Sequence, residues 1–390
     1  MRKAVLSSLL ALLLRAASAQ VVGTPSGFAA GTTGGGDAAP QTPSSLDEKQ
    51  IVEWITDDRP RVILIDREWS FIGTEGTTTT RCCSTRTTTC EGGTSAGQAS
   101  IVDTCDDGTW VSCTYDNAGR SPLDVGSNKS IVGVGNAGVI RGKGLRIRGG
   151  ASNVIIQNIH LTDTNPEYVW GGDLITLDDC DRVWIDHNKF SLAGRQFIVS
   201  GWGAAGHVTI SNNEFDGVTD WSSGCNGKHY WTLLLIGLED WYTFQGNWVH
   251  DVSGRAPHMG TSKTDSRIFF HGVNNYFQNA GGHAFDIDTN TWTLLEGNYF
   301  DAVTTPVTDT TLTGGALVYN VPTVDSASAC VADVGYICEW NRLSGSGDWP
   351  SLTDQEVLAQ FAQYTDSLVD AYAVADVPST VVANAGVGKI

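Results

Sequence analysis

The stretch Asn153–Leu161 reads NVIIQNIHL, and the same theme returns as RVWIDHNKF (182–190), HVTISNNEF (207–215), WYTFQGNWV (241–249), RIFFHGVNNYF (267–277) and WTLLEGNYF (292–300). Each segment has a few β-branched or aromatic residues, then asparagine, then an apolar or aromatic residue, which is a strand signature rather than a helical one. The asparagines Asn158, Asn188, Asn213, Asn247, Asn275 and Asn298 recur every 23 to 34 residues. Repeats of that length, built from short strands without amphipathic helices between them, predict stacked coils of a parallel β-helix over about residues 130 to 310. Asparagine at one corner of each coil tolerates a left-handed backbone and can hydrogen-bond the asparagine above it. A sandwich or barrel would instead show hairpin turns every 8 to 12 residues and cleaner apolar/polar alternation.

Outside the repeat, residues 20–47 are rich in Gly, Pro, Ser and Thr with no apolar period, and read as an extended arm. The segment SLTDQEVLAQFAQYTDSLVDAYAV (351–374) carries apolar residues near helical spacing, with Ser351 and Thr353 as cap candidates. It is expected to pack along the outside of the solenoid. The first residues have a basic start (Arg2, Lys3), an apolar run from Ala4 to Leu14 and the small residues Ala17, Ser18 and Ala19, so residues 1–19 read as a secretory signal. Residues 20–390 then form one β-helix domain, soluble and extracellular, with an N-terminal arm and a C-terminal helical segment.

Removing Arg2, Lys3 and Arg15 takes the formal charge from −19 to −22. That balance excludes nucleic acid and anionic membrane surfaces as partners and disfavours a polyanionic substrate. Nine cysteines in an exported chain imply disulfides with one thiol left over. Cys82, Cys83, Cys90, Cys105 and Cys113 crowd one region, Cys330 and Cys338 can close a small loop, and Cys180, in the run LITLDDCDRVWI, is the candidate free thiol. No C-x-x-C pair occurs, and no structural metal is expected. Asn128 in NKS is a glycosylation sequon at a strand start that shields it.

Three charged residues do not fit a solenoid wall: Asp173 after VWGG, Arg195 in SLAGRQFIV and Arg255 in DVSGRAPHMG. In stacked coils they can converge on one lateral face. Asp186 and His187 in WIDH look like half of a triad, but no G-x-S-x-G nucleophile elbow accompanies them, and they read as structural strand-end residues. The acidic LDDCD (177–181) belongs to a turn rather than to a hydrolase's carboxylate pair.

The run from GVIRGKGLRIRGG through WIDHNKFSLAGRQFIVSG, with CNGKHYW and SGRAPHMG after it, resembles fungal pectin lyases of the pectate lyase superfamily, over nearly the whole chain beyond residue 19. The resemblance implies an all-β, right-handed parallel β-helix and β-elimination of methyl-esterified polygalacturonate, giving 4,5-unsaturated products. It implies Arg255 as the residue that removes the proton, with Arg195 and Asp173 beside it. It implies Trp170, Tyr230, Trp231 and Trp69 as rings on which sugar faces stack. It implies a disulfide from Cys82, Cys83 or Cys90 to Cys225, and a second within the early cluster.

Where pectate lyases place calcium-binding carboxylates, this chain has Arg195, which cannot ligate a hard cation. Where they carry a substrate-binding lysine, it has Thr232 or a neighbouring neutral residue. No cofactor or metal is therefore expected, and the partner is pectin, taken by a monomer. Arginine ordinarily keeps its proton above about pH 12, so the base role rests on the resemblance, with His258 as a conceivable helper. A calcium pectate lyase, a glycoside hydrolase and a non-catalytic carbohydrate-binding solenoid are the rival readings.

Overall fold

The computed structural model describes residues 20–85, 90, 95–262 and 265–390. The segment read as a secretory signal lies outside them. Three parallel sheets run along one axis, and the chain visits them in turn on every coil. The first, here the cleft sheet, stacks Leu123–Asp124, the start of Leu145–Gln157, the start of Ile175–Asp186, Ile198–Ser200, Leu233–Leu235, His258–Met259 and His283–Ile287. The second takes the later halves of the two long strands together with Gly206–Ser211, Glu239–Gln245, Arg267–Val273 and Thr291–Glu296. The third runs from Glu68–Ser70 to Arg342–Ser344. This is the parallel β-helix that the repeat predicts.

The interior holds one side chain per coil at each inward position, so like stacks on like. Phe190 lies on Phe215 at 4.9 Å and Phe277 on Phe300 at 4.9 Å, with the rings of each pair nearly parallel. All four are buried, and deleting one such ring costs about 3–5 kcal/mol. This apolar stack fixes the register of every coil, because a one-residue slip would turn each inward side chain to the opposite face.

The asparagine corner lies between the second and third sheets. Each backbone N–H and Nδ2 of Asn188, Asn213, Asn247, Asn275 and Asn298 donates to Oδ1 of the next asparagine, at 2.8–3.1 Å, and the ladder ends on Asn341. Two details correct the sequence reading. The left-handed residue is the one before the ladder position: His187, Asn212, Gly246, Asn274 and Gly297 all have φ between 51° and 62°. Asn158, with φ 59°, belongs to that row, since His160 pairs with Lys189 and Ile159 occupies the ladder slot.

The arm of residues 20–47 crosses the outside of the second sheet, where Phe28 and Ala29 N–H groups donate to Thr243 and Thr209 hydroxyls at 3.0 and 3.1 Å. An unforeseen helix, Lys49–Thr56, buries Ile51 and Ile55 against the core. The C-terminal segment makes a shorter α-helix than expected, Gln355–Phe361, with Asp354 as N-cap, and continues as a 3-10 turn over Ala362–Ser367. Thr353 instead bridges to Tyr319, and a further helix, Val377–Asn384, packs on the third sheet's Tyr276. Disulfides join Cys82–Cys113, Cys83–Cys105, Cys90–Cys225 and Cys330–Cys338, and Cys180 is the buried free thiol. The first two lie within the excursion that carries an antiparallel pair, Thr77–Thr85 with Gly108–Asp116, and Cys90–Cys225 ties that excursion to the loop of residues 217–232. Among the described residues no helix is long and apolar enough to cross a membrane.

Candidate active site

Loops that leave the third sheet and enter the cleft sheet form one wall of a lateral cleft. Residues 163–174 bring Trp170 and Asp173, residues 191–197 bring Arg195 and Gln196, residues 217–232 bring Tyr230 and Trp231, and residues 251–257 bring Arg255. Their backbones are pinned coil to coil. Arg195 N–H donates to Gly172 O at 3.0 Å, Phe197 N–H to Thr232 O at 3.0 Å, and Leu233 N–H to Arg255 O at 2.7 Å.

Asp173, Arg195 and Arg255 come together. Asp173 Oδ1 accepts the Gln196 N–H at 2.7 Å. Gln196, with its amide oriented by its neighbours, turns Oε1 to Arg255 Nη1 and Nε2 to Trp231 O, each at 3.2 Å. This glutamine, adjacent to Arg195 in sequence, couples all three; only its position beside Arg195 hints at that. The Arg195 guanidinium lies 3.7 Å above the Trp170 ring, and its Nε is buried without a hydrogen-bond partner among the described residues. Burial holds its pKa below the usual arginine value and the nearby Arg255 adds to this, with Asp173 opposing. The Asp173 carboxyl is pushed up by burial and pulled back by Arg195 and the Gln196 N–H.

Arg255 and Trp170 both adopt left-handed backbone, with φ of 49° and 69°. Such strain in bulky residues collects at functional sites. Gly254 is needed, because a Cβ there would meet the Tyr230 ring at 2.5 Å. The Arg255 guanidinium stands 4.8 Å from the Trp231 ring and 6.0 Å from Tyr230. The Arg255 backbone N–H donates to His283 Nε2 at 3.0 Å, which makes that ring a neutral acceptor, and burial lowers the His283 pKa accordingly.

His229, also absent from the sequence reading, is buried beneath the site. Its Nε2 donates to Arg195 O at 2.7 Å, and burial drives its pKa down to about 4. His258 lies on the cleft floor, bound through Nδ1 to Asp286 Oδ2 at 2.6 Å, and this partner draws the Asp286 pKa down to about 2. Thr232 is buried and donates to Gly254 O at 2.9 Å, so it supports the turn that carries Arg255.

One expected ring is not at the site. Trp69 is 3 % exposed and packs in the central core, because the alternation of Glu68–Ser70 turns its middle residue inward; it has no face to offer a sugar. Trp170 is 46 % exposed, and Tyr230 and Trp231 are half-buried at the rim. Asp186 is structural as read, accepting from Gln157, His187 and Ser211 far from the cleft loops. The donor set also bears on metals. Asp173 stands beside the Arg195 guanidinium, whereas the cluster Glu214, Asp216 and His250 stands on the third sheet with Lys189 bridging its two carboxylates at 2.8 Å.

A parallel β-helix with a lateral cleft of arginines, a carboxyl and aromatic rings defines a class of polysaccharide-cleaving solenoids. The Pectate lyase family matches the chain over residues 2–390. The chain is 76 % identical over 390 residues to a "Probable pectin lyase F-1" of Aspergillus terreus, and 71 % identical over 391 residues to a "Probable pectin lyase F" of Neosartorya fischeri, with all of each chain covered. Among solved structures it is similar to a pectate lyase from Bacillus sp. N165 in complex with trigalacturonate, with 19 % identity and a TM-score of 0.55 over 93 % of this chain and 99 % of that one. A pectate lyase bound to hexasaccharide gives a TM-score of 0.55 at 17 % identity over 96 % and 99 %. The chain belongs to the pectate lyase family. It is a polysaccharide lyase of the pectin and pectate lyase kind.

Proposed function

We propose that this protein is an extracellular pectin lyase that acts as a monomer on methyl-esterified homogalacturonan by β-elimination, without calcium. The observation that carries the reading is the pair Arg195 and Arg255, with Gln196 bonded to Arg255 and to Asp173, whose carboxyl stands beside Arg195. Elimination needs a group to take the C5 proton, a fixed positive charge for the oxyanion that develops on the carbonyl, and a grip on the polymer. An ester already acidifies its α-proton more than a carboxylate does, so a guanidinium suffices where an anionic substrate would call for a divalent cation.

Arg195 meets the carbonyl, held flat by Trp170. Arg255 removes the proton: its turn is fixed by Gly254 and by the hydrogen bond to His283, and no carboxylate pairs with it among the described residues. Asp173 orients the backbone that carries Arg195 through the Gln196 N–H. Trp170, Tyr230 and Trp231 hold the sugars. Export with removal of residues 1–19 fits the four disulfides, which persist only in an oxidising compartment.

The test is ultraviolet absorbance of the unsaturated product, followed on highly methylated and on unesterified homogalacturonan, with and without EDTA. Faster reaction on the methylated polymer, unchanged by chelator, is expected. Enzyme that stopped in EDTA and recovered with Ca²⁺, or that left methylated pectin uncut, would overturn it.

A further inference from the structure

The outward row of the cleft sheet changes character along the axis. In register it runs Asp124, Arg146, Thr176, Val199, Leu234, His258, Asp286. The floor beside Arg195 and Arg255 is neutral, and the end toward the N-terminal coils is charged. There a cavity of about 270 Å³ opens, lined among others by Arg120, Pro122, Arg146, Trp170 and Asp173.

Its charges do not cancel. Arg146 holds Asp124 through Nε and Nη2 at 2.6 and 3.2 Å, and Arg148 adds a bond to the same carboxylate at 2.8 Å. Arg120 has no acidic partner among the described residues: Nη1 donates to the Tyr115 hydroxyl at 2.9 Å, and the guanidinium lies 5.0 Å from that ring. Three guanidiniums against two carboxylates, Asp124 and Asp173, leave an excess of one positive charge at this end, in a chain whose formal charge is −19. Asp173, on the far wall, is engaged with Gln196 N–H. An exposed arginine with no acidic partner among the described residues, beside a sugar-sized cavity and an aromatic wall, is suited to an anionic sugar substituent, since a planar guanidinium binds a carboxylate through two parallel bonds.

The geometry points to a carboxylate subsite: Arg120 and Arg146 hold the free acid group of an unesterified galacturonate while an esterified residue is cut at Arg195 and Arg255. This rests on the pectin lyase reading and adds to it a pattern of methylation. Arg146 is one coil from Thr176 and two from Val199, and coils stack about 4.8 Å apart. The acid therefore belongs to a sugar near the cut but distinct from it. A methyl ester in the same place leaves Arg120 solvated, so methylated sugars are accepted without penalty and acidic ones gain.

The experiment compares wild type, Arg120→Gln and Arg120→Glu on two homogalacturonans of equal length, one fully methylated and one randomly half-methylated, at low and at physiological ionic strength. The ratio of kcat/KM, half-methylated over fully methylated, should fall about 10-fold in Arg120→Gln and further in Arg120→Glu, the scale of one charge-assisted hydrogen bond. The change should sit in KM and shrink with salt. Mass-spectrometric sequencing of wild-type products should place free carboxylates at one fixed position from the unsaturated end, and the variants should lose that enrichment. The same ratio in all three proteins, or acids scattered at random from the new end, overturns the subsite alone. A wild type that gives no unsaturated product from the methylated polymer overturns the pectin lyase reading instead, before any variant is made.

Discussion

Every coil turns two very different corners. Between the second and third sheets the turn is short, its left-handed position is mostly Asn or Gly, and each asparagine passes its hydrogen bonds to the next. Between the third sheet and the cleft sheet the loops are long and unequal, tryptophan and arginine take the left-handed backbone, and the Arg195 Nε is buried without a partner among the described residues. One corner repeats because nothing there varies with function. The other is irregular because each loop carries a different piece of chemistry, and the regular corner supplies the rigidity that holds those pieces in place.

The sharpest way to break this division is at Arg255. Arg255→Lys keeps a positive charge but loses the planar fork, and turnover on methylated pectin should fall about 10²-fold or more, the scale for a positioned acid–base group. KM should rise less, because Trp170, Tyr230 and Trp231 remain, and the thermal midpoint should stay close to wild type. A folded Arg255→Lys enzyme with near-normal kcat would move the base elsewhere, with His258 the first residue to examine.

The mirror experiment is Asn247→Ala at the regular corner. It removes the acceptor for the Asn213 N–H and Nδ2 and the donor to Ile210 O and Asn275 Oδ1, all fully buried. A loss of about 2 kcal/mol in denaturant unfolding is expected, since a buried group left unpaired costs about 1–3 kcal/mol. The kcat of the folded enzyme should stay within about twofold, because no ladder residue reaches the cleft. A large drop in kcat with intact stability would erase the distinction between the corners.

The third corner, from the cleft sheet to the second sheet, gives the smallest effect. Asp240 there is fully buried, accepting from Ala205 N–H and the Tyr242 hydroxyl, and burial raises its pKa to about 6 from 3.8. A raised carboxyl pKa means that the folded protein holds its proton longer than the unfolded chain. This contribution is fully present below about pH 4 and is lost as pH rises through about 6. Stability curves from pH 4 to 7 should show a fall on the order of 1–2 kcal/mol that Asp240→Asn flattens. An unchanged slope in that variant would assign the titration to another group.

The solenoid was legible because its period is written in six strands that bury the same positions, and the ladder was misplaced by one residue only at Asn158. There asparagine serves the left-handed backbone and not the ladder, and composition does not separate those two uses. Arg195, Arg255 and Asp173 lie on loops with no period, so residue type showed only that they do not fit a solenoid wall; the motifs around them supplied the assignment. Trp69 was misjudged by weighing its aromatic ring above the alternation of its own strand. Gln196 and His229 act through contacts between coils, Gln196 to Arg255 and His229 to Arg195 O, which no local pattern encodes. Arg146 and Arg148 had a local signal, the alternation in LRIRGG that sends both outward from the cleft sheet, and the overall negative charge obscured it.

The arm across the second sheet sets an order of events. Coils built from neighbouring repeats can add one after another as the chain lengthens, each templated by the last. Phe28 and Ala29, although made early, bind Thr243 and Thr209, which are 215 and 180 residues away. The part of the arm that holds Phe28 and Ala29 thus finds these partners only once the middle of the protein has been made and folded. At that point the arm is a strap fastened late, over coils that are already stacked.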